Sequence, residues 1–507
     1  MRKSFLIVLV CLLFLAGCRS EGELHSEEGG LLSIKVPIAN AESFALVMEP
    51  ANERRRNMER PDEERLLEMT RGRTPSMDNI NMFREGNTRQ TSVPLADAAE
   101  DAKDFFRLLR DIYGGYVYFG GDAVFLPILD NIIAEINSFG SGNISANRFE
   151  EILFNHLSAV IADNHFMIGR QRFSPNVSIF RATNQDFLYK DGFFVNIRTG
   201  RQLANISDFE INDMMRLHIN PEGAFVYNPI ILQTGTVSAN RFSVEFIYTD
   251  GTRENVTFDI KRTTPKGHSA ANLQHIDGFP VVTIRQMGFP ESTAPNMDAA
   301  NAQAFLSFAE ELRGEPVVIM DLRSNMGGNI TLASRWLYLL TGKIITQNHV
   351  GIRAMCYDSF NILYVYEASP ADEFYIPADI IRRHLMHEPF GEGYTVLNNS
   401  VSNVVEREQL MIFLVDRFTA SAGESFADLA LSMTNTLIVG TNTAGILKFD
   451  FMFPDLTMPR TGITFGLGTT LFVYSDENVA EGMGIKPDVW VEGDALGAVI
   501  AMLRNVE

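Results

Sequence analysis

Along this chain the strongest hydrophobic signals are short unbroken apolar runs that end in turns of small or polar residues and lead into apolar positions at helical spacing. Leu410-Met411-Ile412-Phe413-Leu414-Val415 reads as a strand buried on both faces, and Phe426, Leu429, Ala430 and Met433 follow it on one side of a helix. Glu315-Pro316-Val317-Val318-Ile319-Met320 repeats the pattern, with Ile330, Leu332, Ala333, Trp336, Leu337 and Leu340 behind it. This alternation begins near Val281 and predicts an α/β part over 270–507, interrupted by a long segment at about 343–405. From about 172 to 265 the period changes to two. Val244, Phe246 and Tyr248 face Val256, Phe258 and Ile260 across Asp250-Gly251, which predicts a hairpin within a β-rich module. Between about 96 and 165, within an expected helical domain at 96–171, three helical patterns appear, the first with Phe105, Leu109 and Ile112, and a helix-like run of Phe149, Ile152, Leu153, Leu157, Val160 and Ile161 precedes His165. Residues 19–95 are rich in acidic, Arg and Asn residues and read as a spacer, with a short strand at 31–36 as the exception.

The first 18 residues change the picture of where the chain acts. Arg2 and Lys3 precede an apolar stretch from Phe5 to Ala16, too short to span a membrane and suited to a signal peptide. Leu15-Ala16-Gly17-Cys18 has the form of a bacterial lipobox, so cleavage before Cys18 and its lipidation are expected. The mature chain would then be anchored by lipid to a membrane of the cell envelope, on its periplasmic or extracellular side. A plain secretory signal with an incidental cysteine is the alternative. Cys11 leaves with the signal and Cys18 takes lipid, so Cys356 remains alone and no intramolecular disulfide is expected. A formal charge of −20 argues against nucleic acid as a partner. The 507 residues, 46% apolar, are enough for two or three domains.

The chemistry concentrates where the two apolar runs end. Asp416-Arg417-Phe418-Thr419-Ala420-Ser421-Ala422-Gly423-Glu424-Ser425 puts Ser421 at an abrupt change from strand to helix, among small residues and beside helix N-terminal amides. A serine nucleophile needs that setting, although a serine also serves there as a plain helix cap. The second turn, Asp321-Leu322-Arg323-Ser324-Asn325-Met326-Gly327-Gly328-Asn329, has paired glycines whose amides are suited to an oxyanion. Asp321, Arg323 and Asn325 read as scaffolding for that loop. No Lys-Ser or Lys-Thr follows the glycines as in a P-loop. The histidines show no His-Glu-x-x-His spacing, no metal or organic cofactor is called for, and His384 and His387 sit three apart in a stretch read as helix.

Four ordered blocks carry a resemblance: Asp321-Leu322-Arg323-x-Asn325-x-Gly327-Gly328, Thr419-Ala420-Ser421-Ala422-Gly423-Glu424, Gly440-Thr441-x-Thr443-x-Gly445 and Glu481-Gly482-x-Gly484-Ile485-x-Pro487-Asp488. Together with Asp163-Asn164-His165 they resemble the landmarks of the C-terminal processing (tail-specific) serine peptidases and their tricorn-core relatives. The resemblance implies a ClpP/crotonase-like α/β catalytic domain, an N-terminal helical domain and a PDZ-like module at 172–265. That module here lacks a clear carboxylate loop. In one branch of the family a lysine is the base, but Ile446 stands at that position and Lys448 lies two residues on. The tricorn-like branch implies a triad of Ser421 as nucleophile, His165 as base and Glu481 as the carboxylate orienting it. Gly327 or Gly328 with Ala422 would form the oxyanion hole. The expectation is an exported, membrane-anchored serine endopeptidase acting on polypeptides, with self-association left open. The alternatives are an inactive binding protein on the same fold, a small-molecule esterase or amidase, and a Ser-Lys dyad using Lys448.

Overall fold

The apolar runs become the parallel centre of one large sheet. In the computed structural model, Val317–Asp321, Leu410–Val415 and Thr436–Gly440 lie side by side and parallel, almost every residue buried. Strands with no polar face are stable only when both faces are covered. On one face Val318, Met320, Met411 and Phe413 pack with the helices Ala299–Glu311, Ile330–Thr341 and Ala422–Ala430. On the other, Ile319, Ile412, Leu414, Leu437 and Val439 meet Val499, Met502 and Leu503 of the helix Ala495–Val506. The structure describes residues 38–58, 82–83, 88–140, 142–174, 177–182, 184–235, 239–260, 263–267, 269–288, 298–347, 349–354, 385–390, 394–399, 404–450, 453–474 and 479–506. The leader, Cys18 and the expected strand at 31–36 lie outside them.

Part of the expected spacer belongs to this second face. Ala41–Arg56 is a helix whose Asn40 cap accepts from the Ser43 amide at 2.8 Å. Phe44, Val47 and Met48, spaced i, i+3 and i+4, join the apolar layer under the sheet. Asn52 and Asn435 exchange two hydrogen bonds of 2.9 and 3.2 Å, while Arg54 and Arg55 reach Asp488 at 2.5 and 3.0 Å. The polar average of 19–95 conceals this narrow apolar stripe, which is why the stretch reads as a spacer.

The β-rich region extends the same sheet. Val489–Trp490 pairs in parallel with Met215–Ile219, and the sheet runs on through Phe225–Thr234, Val177–Ala182, Arg253–Ile260, Arg241–Tyr248 and Leu203–Ile206. The hairpin forms as its alternation predicts, with Val244 opposite Val256 and Phe242 opposite Phe258 around a turn in which Gly251 has φ +80°. Phe180, Phe246 and Phe258 centre its own core.

Three helices, Leu95–Ile112, Asp122–Asn137 and Ala146–Leu157, match the helical patterns. Beyond them the chain does something the periodicity does not announce. Asp163–Ile168 is a strand, antiparallel to Gln171–Phe173 and to Thr464–Leu467. His165 therefore sits in a strand that joins the helical region to the C-terminal part, not in a segment that merely caps a helix. Phe105, Phe149 and Phe166 share one core with Phe449, Phe465 and Leu471. The interrupting segment contributes His349–Ala354, Leu385–Phe390 and Tyr394–Asn399 to a sheet with Thr470–Tyr474. The stretch from 385, read as helix around His387, is thus a strand, and residues 355–384 lie outside the described ones.

Candidate active site

Ser421 stands at the first turn of the helix Ala422–Ala430 with φ +50° and ψ −121°. A non-glycine residue at positive φ is strained by about 1–3 kcal/mol, so the surroundings must hold it there. They do so from three sides. The Ala420 amide donates to the Asn325 carbonyl at 2.8 Å, the Gly423 amide closes back on the Ala420 carbonyl at 2.9 Å, and the Ser421 amide donates to Glu424 Oε2 at 3.1 Å. Asp416, at the end of the strand, accepts from the Ser324 and Phe418 amides at 2.8 and 3.0 Å. The serine turn and the glycine turn are therefore knitted together by backbone.

The glycines are required where they stand. A Cβ on Gly327, which has φ +100°, would lie 2.8 Å from both the Ala420 carbonyl oxygen and Ser421 Cβ, and 3.0 Å from the Ala422 nitrogen. A Cβ on Gly328 would lie 1.8 Å from the Met287 carbonyl oxygen. Backbone at Gly327 thus touches the serine directly. Its N–H is already donated to Asn325 Oδ1 at 3.0 Å, whereas the N–H groups of Gly328 and Ala422 bond to no described residue. Gly328 and Ala422 therefore each keep an N–H that no described residue accepts.

Below the loop, Asp321 accepts from Arg285 at 2.8 and 3.0 Å and from Arg323 at 2.8 Å with each oxygen. Burial works against its ionisation, but the two guanidiniums dominate and hold its carboxyl well below the ordinary carboxylate range. Asn325 Nδ2 donates to the Ile284 carbonyl at 3.0 Å. The scaffolding role read for Asp321, Arg323 and Asn325 is what these contacts describe.

Glu424 is given no role of its own by the sequence reading, yet its side chain lies at the centre of the serine turn. Fully buried, it accepts from the Ser421, Gly445 and Ile446 amides at 3.1, 2.8 and 2.8 Å and is paired with the Thr443 hydroxyl at 2.5 Å. Burial pushes its carboxyl up to about 7 against the pull of those donors. One side chain thereby joins the serine turn to the Thr443–Ile446 loop. The Ser-x-x-Glu spacing is the sequence signal of a capping box and would have identified it.

His165 enters from its own strand. Its Nδ1 is 2.8 Å from the Phe449 carbonyl oxygen, which can only accept, so Nδ1 carries the hydrogen and Nε2 keeps its lone pair. Burial lowers its pKa, and the Phe449 carbonyl opposes the shift, so the ring is held neutral. The segment is fixed by Asp163, whose carboxylate accepts from the His165 amide at 2.8 Å and from the Tyr113 hydroxyl at 2.9 Å.

Glu481 does not bond to the imidazole. Its Oε2 accepts from the Leu447 and Lys448 amides at 3.0 and 2.8 Å, and its Oε1 lies 3.5 Å from the amide of Asn164, the neighbour of His165. The Phe449 carbonyl occupies the ring position expected for it. Burial, and then the Asp163 charge, push the Glu481 carboxyl upward. The Gly482 amide donates to the Gly445 carbonyl at 2.8 Å, and Asn164 Nδ2 donates to that same carbonyl at 3.2 Å. Segments 163–165, 421–424, 443–449 and 481–482 thus meet around Gly445. No hydrogen bond joins His165 to Ser421 among the described residues. Lys448 Nζ lies 5.1 Å over the Tyr118 ring, and no hydrogen bond joins it to Ser421 among the described residues.

Residues 281–491 match the model of peptidase family S41. Among solved structures, mature CPAF complexed with lactacystin is 14% identical, with 81% of this chain and 96% of that one covered and a TM-score of 0.40. The photosystem II D1 C-terminal processing protease is 14% identical over 79% and 93% of the two chains with a TM-score of 0.34. The tricorn protease is 12% identical over 82% and 36% with a TM-score of 0.31. No curated protein matches the chain.

Proposed function

We propose that this chain, whose residues 281–491 match the model of peptidase family S41, is a serine endopeptidase that hydrolyses polypeptides, with Ser421 as nucleophile, His165 as general base and Glu481 as supporting carboxylate. The observation that carries this reading is the conformation of Ser421: a strained, non-glycine φ of +50° at a helix N-terminus, with the Gly327 backbone against its Cβ. Strain of this kind persists where it presents a side chain, whereas a simple cap has no need of it.

In the proposed reaction Ser421 Oγ attacks the peptide carbonyl and His165 Nε2 takes its proton, later giving it to the leaving amine. Amides of Gly328 and Ala422 receive the oxyanion, and water then attacks the acyl-enzyme by the same route in reverse. Phe449 holds the imidazole tautomer through its carbonyl, a task expected of Glu481. Glu481 acts one step away, by fixing Leu447, Lys448 and the Asn164 backbone around the ring. Substrate engagement must bring His165 and Ser421 into hydrogen-bonding contact, as resting enzymes often leave such bonds long. Export and anchoring through Cys18 are part of the proposal, supported by the leader and lipobox pattern alone.

Digestion of unfolded casein by the purified chain, set beside Ser421→Ala and His165→Ala, tests the reading. Loss of cleavage in both variants, with loss of fluorophosphonate labelling in the first, is expected. Casein left intact by the wild-type chain, or cleaved equally well by Ser421→Ala, would remove the serine peptidase assignment.

A further inference from the structure

The carbonyl that orients the His165 ring is gripped on both sides along the chain. Before Phe449, the Leu447 and Lys448 amides donate to Glu481 at 3.0 and 2.8 Å. After it, Asp450 holds Thr470 twice: Oδ1 accepts from the Thr470 amide at 3.0 Å, and Oδ2 accepts from the Thr470 hydroxyl at 2.6 Å. Resting on the reading of His165 as base, we infer that Asp450 is a positioning residue for that base. Its grip on Thr470 sets the Phe449 carbonyl against His165 Nδ1, and its charge steadies the imidazolium that forms when Nε2 takes the serine proton.

The clamp is built into the fold. Thr470 is fully buried at the start of the strand Thr470–Tyr474. The Phe472 amide donates to the Lys448 carbonyl at 2.7 Å, and Phe449 stands opposite Leu471 in an antiparallel bridge. Behind Thr470 the backbone of Gly114 leaves no room for a side chain, since a Cβ there would lie 2.7 Å from the Thr470 carbonyl carbon. A Cβ on Gly468 would likewise lie 2.7 Å from Asp450 Oδ1. The Phe449 ring packs on Tyr113, Tyr118 and Phe119 with centroids 5.9, 5.9 and 5.7 Å away. A carbonyl so confined needs little reorganisation when the ring it faces becomes charged.

Charge acts in the same sense. Asp450 favours the protonated ring, whereas the Arg172 guanidinium on the neighbouring strand opposes it. Two other acids face this region. Asp163, on the histidine's own strand, is fully buried against the Tyr113 hydroxyl, and Glu481 lies beside the Asn164 amide. Burial pushes both carboxyls upward, so each holds its proton to higher pH than an ordinary carboxyl. Lys448 places its Nζ over the Tyr118 ring. Asp450, half-buried, supplies the negative charge that acts on the imidazole.

The test reads the ring directly. In the full chain labelled with ¹³C at histidine Cε1, the His165 signal is assigned by its loss in His165→Gln and titrated by NMR. Asp450→Asn keeps an oxygen for Thr470 but removes the charge, and should lower the His165 pKa by about 0.5–1 unit. Glu481→Gln should move it less, and Asp450→Glu should keep it near the wild-type value. The acid limb of kcat/KM should shift downward with the titration in Asp450→Asn, and fluorophosphonate labelling on the plateau should slow roughly three- to tenfold. If Asp450→Asn fails to fold, Asp450→Ser removes the same charge in a smaller side chain and decides. A residue that merely supports the fold would cost stability and rate yet leave the titration in place. An unmoved titration, or an equal shift in Glu481→Gln, in an enzyme that still digests casein would overturn the role of Asp450 and spare the peptidase reading. A wild-type chain that leaves casein intact would overturn both.

Discussion

Replacing Gly327 by alanine tests the tightest contact in the candidate active site. At φ +100° an L-residue is strained by about 1–3 kcal/mol. The new methyl would also sit 2.8 Å from the Ala420 carbonyl oxygen and Ser421 Cβ, well inside ordinary contact distance, adding about 1–3 kcal/mol of overpacking. The neighbours that must yield are backbone and the serine itself, so relief comes by moving Ser421. A displacement approaching 1 Å at a reacting centre lowers rate by about 10²-fold. Gly342→Ala supplies the control: it too has positive φ, +67°, but nothing lies within 4 Å of its added Cβ. The control should lower stability by about 1 kcal/mol and leave the fluorophosphonate labelling rate at Ser421 unchanged. Gly327→Ala should lose more stability in urea unfolding and label at least about 10²-fold more slowly. Wild-type labelling together with a stability loss no larger than that of Gly342→Ala would refute the claim that this glycine packs against the nucleophile.

Three further outcomes are expected. Glu424→Gln places an amide among donors already pointed at a buried carboxylate, so it should cost about 2–4 kcal/mol by urea unfolding and slow Ser421 labelling; wild-type stability would mean the buried network is dispensable. Asp488→Asn removes the charge that Arg55, fully buried, faces at 3.0 Å and should cost about 3–5 kcal/mol by the same method, whereas Arg54→Ala, whose side chain is 41% exposed, should cost under about 1 kcal/mol. Because burial lowers the pKa of His165, the neutral base persists below the ordinary histidine range, and the acid limb of kcat/KM should lie below pH 6.5. The same depression means that stability from this group is lost as pH falls through that region. An acid limb above pH 6.5 would contradict the assignment of His165 as base.

Local pattern determined a good deal of this protein unaided. The apolar runs at 317–320 and 410–415 read as strands covered on both faces, the alternation at 244–260 reads as a half-buried hairpin, and both form, because burial imposes its period on the sequence. The serine and glycine turns were legible for the same reason: small residues at a strand end have few other uses. What required the tertiary structure was every relation between distant segments. His165 lies in a strand because Thr464–Leu467 pairs with it some three hundred residues later, and no local period encodes a partner so remote. Residues 41–56 belong to the sheet's underside because three apolar side chains find a surface there, a fact their polar neighbours mask. The partner of His165 Nδ1 is a main-chain carbonyl, and every residue has one, so composition could not single out Phe449. Side-chain type reveals which groups are capable of chemistry; only the folded chain decides which atoms they meet.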